Sequence, residues 1–403
     1  MSQKKDLIRQ PAKSKLSAFQ ARILEIIQRN ELVQSMDRGV VGLSTGSDSS
    51  ALLHVLHSLP LNLRLTAVYI DHGLRPKECI IEIEQATLFC NQLGVELRVI
   101  KTDVREYAHR LQLSLEDGAR QERYRILNHI RQEIEADWIA IAHTADDQVE
   151  EFFIRLLRGT GTKGLSGMQL QNDRIIRPLL HETKASLREY LKIHNLDWCE
   201  DSSNQDTRFL RNRIRQQLLP MMEQQFNPSL KKNVLQVMEI LQKEDGFLDE
   251  LTTEQFKQCV QVSASQNGSH VLLLNAALYK RIPKPIGRRI LEKCCWQMGS
   301  RPSFYHIEQV RFMLEERHQP GEIHMRKGVR VYFDGKQLCF CRPLPKGQVR
   351  GSIQQFTPKP FAVDLLEPGT FQLPDTEATV VLEMIEAADI ESLADKSEEK
   401  ILV

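Results

Sequence analysis

No stretch of this chain is apolar and long enough to span a bilayer, so no membrane-spanning helix is expected. The N-terminal segment MSQKKDLIRQPAKSKL is basic but lacks an apolar core, which argues against a secretory signal. Eight cysteines are present, yet none form C-x-x-C, and Cys294-Cys295 and Cys339-x-Cys341 lack zinc-ligand spacing. They read as mostly buried thiols in a reducing compartment, so a cytoplasmic location is expected. A charge of one sign is also missing: 54 Lys and Arg stand against 53 Asp and Glu. The chain as a whole is therefore no generic polycation.

What is there is organised. A chain of 403 residues has room for two or three domains. Apolar strand-like runs occur at 40–44, 65–70, 96–101 and 137–142, with helical patterns between them at about 48–58, 78–93 and 118–135. This alternation predicts an α/β fold with a doubly wound parallel sheet covered on both faces. Ligands of such sheets bind at the carboxyl ends of the strands. Around Pro220 and Asn227-Pro228 the alternation stops. Residues 229–318 read as largely helical, 321–342 hold β-like pieces, and 351–403 form a short acidic tail with one apolar run at 378–386. The expected division is a catalytic domain over 1–220, a mostly helical second domain over 221–350 with terminal β pieces, and an acidic tail or reduced C-terminal domain over 351–403. Charge follows the same division. Residues 280–350 carry 16 basic and 6 acidic side chains, and 351–403 carry 3 and 11. The basic segment suits a nucleic-acid surface, or more plainly a solvated helix face.

The most informative stretch is VVGLSTGSDSSALL at 40–53. A buried strand runs into Ser44-Thr45-Gly46-Ser47-Asp48-Ser49 and then into a helix start. Backbone N–H groups and the helix dipole there favour an anion such as phosphate. An ordinary βα turn with a Ser/Asp cap is the plain alternative. The loop is neither a Walker A motif nor the dinucleotide G-x-G-x-x-G. Two further polar clusters start at strand ends, Asp71-His72-Gly73-Leu74-Arg75 and the segment from His143. In the latter, His143, Asp146, Asp147 and Glu150 fall on or beside one face of a helix over 145–158. Carboxylates at a helix N-terminus are favoured without any function, but a His and three carboxylates also suit Mg²⁺ and proton transfer. Arg120 and Arg123 share a helix face and suit phosphate. Arg211, Arg213 and Arg215 suit RNA phosphates or a substrate carboxylate, or a plain amphipathic helix.

In order, these motifs resemble the S-G-G-x-D-S pyrophosphate loop, D-H-G-L-R, A-R-x-x-R-Y, A-H-x-x-D-D-Q-x-E-T, R-G-T-G, R-P-L-L, E-D-x-S-N and R-N-x-I-R of the tRNA(Ile)-lysidine synthetase family. That family belongs to the ATP pyrophosphatases. The matches fall at 44–49, 71–75, 119–124, 142–151, 158–161, 177–180, 200–204 and 211–215. Thr45 replaces a usual Gly, and Glu151 a usual Thr.

The resemblance implies an adenine nucleotide α-hydrolase-like fold and an ATP-dependent ligase. Such an enzyme adenylates the wobble cytidine of the CAU anticodon of tRNA(Ile) and joins free L-lysine to it, giving lysidine. It implies ATP on Ser44, Thr45, Gly46, Ser47, Asp48 and Ser49, with the Ile70 backbone reading adenine. Mg²⁺ would lie at Asp48 and Asp147. Chemistry would fall to Asp48, Arg120, His143, Asp146, Asp147 and Glu150. Arg211, Arg213, Arg215, Arg288 and Arg289 would contact tRNA, and a homodimer is compatible with the family pattern. A tRNA sulfurtransferase of the same superfamily, or an inactive tRNA-binding protein, are the alternatives.

Overall fold

A computed structural model describes residues 16–74, 76–199, 207–264, 270–315, 320–342, 369–372 and 379–382. Arg75, the 200–204 segment, the basic residues of 343–350 and most of the tail lie outside the described residues. The chain divides into two compact units, Met1–Gly246 and Phe247–Val403.

The first unit opens with helix α1 (Ala18–Arg29). Strands β1 (Arg38–Leu43), β2 (Arg64–Asp71), β3 (Glu96–Lys101) and β4 (Trp138–Ala140) then alternate with helices. These are α2 (Ser47–Ser58), α3 (Pro76–Leu93), α4 (Val104–Leu111) and α5 (Leu115–Glu133). Next come α6 (Ala145–Arg158), α7 (Thr162–Leu165), β5 (Gln171–Asn172), β6 (Ile175–Ile176) and α8 (Lys184–Ile193). The sheet order is β3-β2-β1-β4-β6-β5, parallel except for the edge strand β5. Period-two alternation explains its two-sided burial. On β1, Val41 and Leu43 join a core with α1, α2 and α8, whereas Val40 joins Ile126, Leu127 and Ile130 of α5 on the opposite face.

The unit closes with α9 (Leu210–Arg213), a π-helical turn (Ile214–Leu218), α10 (Leu219–Gln225) and the start of α11 (Leu230–Cys259). The pattern changes at Pro220, but packing continues beyond it. Leu219, Val234 and Met238 are buried with Val149, Phe153 and Ile154 of α6.

The second unit keeps the expected helices and terminal β pieces and adds strands between the helices. It contains a five-stranded antiparallel sheet, ordered β7 (Val260–Ala264), β8 (His270–Asn275), β11 (Gln337–Cys341), β10 (Arg330–Phe333), β9 (Gly321–His324). Helices α12 (Ala276–Tyr279), α13 (Lys284–Gln297) and α14 (Phe304–Glu315) accompany it. Strand β7 follows α11 without a break, and β8 is a short apolar run whose periodicity does not separate strand from helix. Pairing decides the matter: Leu272 and Leu274 of β8 lie opposite Phe340 and Leu338 of β11, all four buried. In the tail, β12 (Gly369–Gln372) pairs antiparallel with β13 (Thr379–Leu382). No helix among the described residues is long and apolar enough to cross a membrane.

A histidine cluster beneath α2 sets one expectation. His54 shares a 2.7 Å hydrogen bond with the Tyr190 hydroxyl and packs 4.9 Å from the His194 ring. Burial, then the His194 and His57 charges, push its pKa from 6.5 down to about 4. His57 and His181 are lowered by burial as well. Between those two pH values the unfolded chain binds protons that the folded chain does not, so stability falls as pH drops through the window. Urea midpoints should therefore decline steadily from pH 7 to pH 4.5, and His54→Gln should shallow that slope. A flat profile over this range would contradict the assignment.

Candidate active site

Three helix N-termini converge at the carboxyl ends of β1 and β4. The first belongs to α2, preceded by the small-residue loop. Gly46 is its cap residue, in an extended conformation. Ser44 N–H donates to Ser49 Oγ (3.1 Å), and Ser49 Oγ donates to the Gly46 carbonyl (3.1 Å), which closes the loop on itself.

Thr45 carries the loop's strain. It is 5% exposed and has φ of +58°, a left-handed conformation that a β-branched residue adopts only at a cost. Its hydroxyl donates to the Ser44 carbonyl at 2.7 Å, and its own carbonyl accepts from the Cys199 N–H at 2.9 Å. This backbone favours glycine, the residue usual at this position in the related pattern. Thr45→Gly should raise stability by about 1 kcal/mol, since left-handed backbone costs an L-residue about 1–2 kcal/mol and glycine's greater unfolded-state freedom returns part of that. Chemical denaturation measures it, and a loss of stability would mean that the hydroxyl contact outweighs the strain.

The second N-terminus is that of α6, which begins at Ala145 as the pattern predicts. Thr144 and Asp147 form a reciprocal capping box. Thr144 N–H and Oγ1 donate to Asp147 Oδ2 at 2.9 and 2.8 Å, and Asp147 N–H donates to Thr144 Oγ1 at 3.3 Å. Asp147 is therefore a structural cap with one oxygen to spare. The third N-terminus is that of α8, where Lys184 is the first helical residue.

Lys184 joins the three. Its Nζ lies 3.2 Å from Asp147 Oδ1 and 3.7 Å from Asp48 Oδ2, and its backbone N–H donates to Asp146 Oδ2 at 2.9 Å. Burial raises the Asp48 carboxyl above its usual range, and the Asp147 charge adds to this against the pull of Lys184. Burial pushes Asp147 the same way. There Lys184, His143 and the Thr144 hydrogen bonds outweigh it, and the carboxyl is held below its usual range.

His143 lies half-buried beside this array. Arg177 Nε donates to its Nδ1 at 3.1 Å, so the ring is a neutral imidazole with its proton on Nε2. Burial, reinforced by the Arg120, Arg177 and Arg211 charges and opposed by Asp147, depresses its pKa well below the imidazole range. At neutral pH such a ring donates a hydrogen bond and is a poor base.

Glu150 is 1% exposed and fully committed. Arg215 grips it through Nε at 2.6 Å and Nη2 at 2.9 Å, with Arg211 Nε at 3.6 Å. Glu151 bridges Arg155 (2.7 Å) and Arg211 (2.8 Å). Arg215 lies in the π-helical turn, a widened coil often found at functional sites. Asp146 turns away, to Lys231 Nζ at 3.2 Å.

The structure thus gathers Ser44–Ser49, His143, Asp147 and Glu150 with Asp48. Ile70 is the penultimate residue of β2, a neighbour of β1. Arg120 lies on α5, its guanidinium 5.4 Å from the Tyr124 ring centroid. Arg211 and Arg215 face Glu150 and Glu151, and Arg213 is exposed. Arg288 and Arg289 belong to the second unit. There Arg288 pairs with Glu292 (3.2 Å) and Glu308 (3.8 Å) and stacks 4.6 Å from the Phe304 centroid. Lys184, and Arg177 as the partner of His143, are the residues that the sequence reading did not select. Arg177 lies in the R-P-L-L match at 177–180, but Lys184 carries no local signal.

The sequence pattern of the PP-loop domain family matches residues 15–222. The chain is 33% identical over 240 residues to the tRNA(Ile)-lysidine synthase of Clostridioides difficile (strain 630), covering 59% of this chain and 52% of that one. It is 32% identical over 301 residues to the same enzyme of Bacillus subtilis (strain 168), covering 72% and 63%. With that of Porphyromonas gingivalis (strain ATCC BAA-308 / W83), identity is 36% over 246 residues, covering 60% and 53%. The chain spans between about half and two thirds of the length of these relatives.

Proposed function

Because this chain belongs to the PP-loop family, an ATP-binding family, we propose that it is a cytoplasmic tRNA(Ile)-lysidine synthetase. It transfers AMP from ATP to the C2 carbonyl oxygen of the wobble cytidine of the CAU anticodon with release of pyrophosphate; the amine of L-lysine then attacks C2, and AMP leaves with that oxygen. The observation that carries the reading is the convergence of the 44–49 loop with Asp48, Lys184 and Asp147 at the strand ends.

The 44–49 backbone and the α2 dipole hold the phosphates, and the Ile70 backbone meets adenine. Asp48 Oδ2 and Asp147 Oδ1 both point at one cation, the Lys184 ammonium. Two carboxylate oxygens aimed at a single positive charge fit Mg²⁺, which takes one or two carboxylates plus phosphate oxygens. When bound there it supplies charge neutralisation at the phosphates. Arg120 adds a fixed positive charge. His143, neutral and oriented by Arg177, donates from Nε2 to an oxygen at the reacting centre. Asp146 holds the Lys184 main chain in place, and Glu150 serves the site by fixing Arg215 beside Asp147.

Residues 1–220 serve as the ATP-binding part and 221–350 as the tRNA-binding part. Arg213, Arg288 and Arg289 meet the RNA backbone, and Arg211 and Arg215 act there only through their carboxylate partners. The protein works as a monomer or a homodimer.

The test is incubation with ATP, labelled lysine and a CAU tRNA(Ile) transcript. Pyrophosphate should appear only with that tRNA, and label should enter the RNA. Sulfur incorporation from a persulfide donor would replace this reading with a sulfurtransferase. Tight tRNA binding without ATP cleavage would leave a binding protein.

A further inference from the structure

We propose that Lys184 is a phosphate ligand of the nucleotide site, parked on the two carboxylates that receive the divalent cation and displaced from them when nucleotide and cation bind. The proposal rests on the nucleotide-binding reading above.

The geometry separates a fixed main chain from a side chain with two partners. The Lys184 backbone is pinned by Asp146 and by the Thr183 cap of α8. The ammonium lies between Asp147 Oδ1 at 3.2 Å and Asp48 Oδ2 at 3.7 Å, with the side chain 24% exposed. Each aspartate spends its other oxygen locally. Asp147 Oδ2 is consumed by the Thr144 cap, and Asp48 Oδ1 accepts from Ser47 Oγ at 3.1 Å. The two remaining oxygens therefore aim at one point, and a single ammonium occupies it.

A divalent cation brought to that point by triphosphate would repel the ammonium, because two positive charges cannot share one pair of oxygens. Lysine has a flexible four-carbon stem and a compact charge, suited to moving between acceptors. The nearest place of negative charge would then be the phosphate on the α2 N-terminus. Asp48, at 3.7 Å from Nζ, is the second residue of that helix. The ammonium need only swing from the carboxylate to the phosphate beside it. Arg215, 3.8 Å from Asp147 Oδ1, keeps that aspartate balanced once the ammonium leaves.

Lys184→Met removes the charge and keeps the stem. Binding of α,β-methylene-ATP, measured calorimetrically at fixed Mg²⁺ without tRNA or lysine, should weaken at least about tenfold, the loss expected for one hydrogen bond to a charged group. Stabilisation by Mg²⁺ alone, read by thermal shift, should appear at lower Mg²⁺ than in the wild type, because the carboxylates have lost their competitor. Lys184→Arg should restore a large part of the nucleotide affinity. Opposite changes for nucleotide and metal are the signature, since a merely structural lysine would weaken both. On the unaltered protein, Mg²⁺ alone should increase acetylation of Lys184 by an amine-directed reagent, and analogue with Mg²⁺ should suppress it. Unchanged analogue affinity in Lys184→Met, parallel weakening of both ligands, or labelling indifferent to nucleotide would each overturn the proposal while wild-type nucleotide binding stands. Absence of analogue binding to the wild type would instead remove the nucleotide-binding reading, and Lys184 with it.

Discussion

Asp48→Asn should lower tRNA-dependent pyrophosphate release by about 10²–10³, the usual cost of removing one preorganised charge-stabilising group. Asparagine keeps the side-chain shape and an acceptor for Ser47, and Lys184 retains Asp147, so the fold should persist. What disappears is one of the two negative charges that face a common point. Burial holds this carboxyl above its usual range, so its charge is costly in the absence of a cation and readily drawn out by one. Single-turnover kinetics with saturating tRNA and lysine are the direct measurement. Turnover within a few-fold of wild type would remove Asp48 from the mechanism.

Arg215→Ala should cost about 3–5 kcal/mol of stability, because it strands a buried carboxylate. Glu150 is 1% exposed, and its two close hydrogen bonds come from Arg215, with Arg211 Nε no nearer than 3.6 Å. Arg215→Lys should rescue little, since an ammonium cannot reproduce the two-pronged grip. The double variant Glu150→Gln/Arg215→Met should recover much of the loss by removing both charges together. Urea unfolding of the four proteins reads this directly. If Arg215→Ala keeps wild-type stability and loses only tRNA affinity, Arg215 is an RNA contact, and its pairing with Glu150 contributes nothing to the fold.

The two variants mark a division within one set of charged residues. The Asp48–Lys184–Asp147 array has oxygens directed at a shared cation, the arrangement of a ligand site. The Glu150–Arg215 and Glu151–Arg211 pairs satisfy one another and join α6 to the segment at 210–218. Glu151, where the related pattern has threonine, is explained by the same contacts, because Arg155 and Arg211 both reach it.

Period and punctuation in the sequence determined the first unit. Apolar runs of strand length alternating with helical stripes admit only a parallel sheet covered on both faces, and β1 to β4 fall within a few residues of the runs at 40–44, 65–70, 96–101 and 137–142. The same logic placed the 44–49 loop and the 143–150 segment at strand ends, and the helix expected over 145–158 is α6. The strain at Thr45 was legible as a branched residue in a usual glycine position, where few conformations are open to it. Three matters were decided only by tertiary structure. β8 became a strand because its partner at 337–341 buried Leu272 and Leu274, and β7 because it pairs with β8; pairing across about sixty residues leaves no local periodicity to read. The first unit extends to Gly246 because α11 found the apolar face of α6, a contact between segments that each look like ordinary amphipathic helices. The charged residues were sorted into a shared-cation array and internal pairs by distance alone. Coulomb attraction depends on separation in space, and Lys184 meets Asp48 across 136 positions of chain that no spacing rule connects.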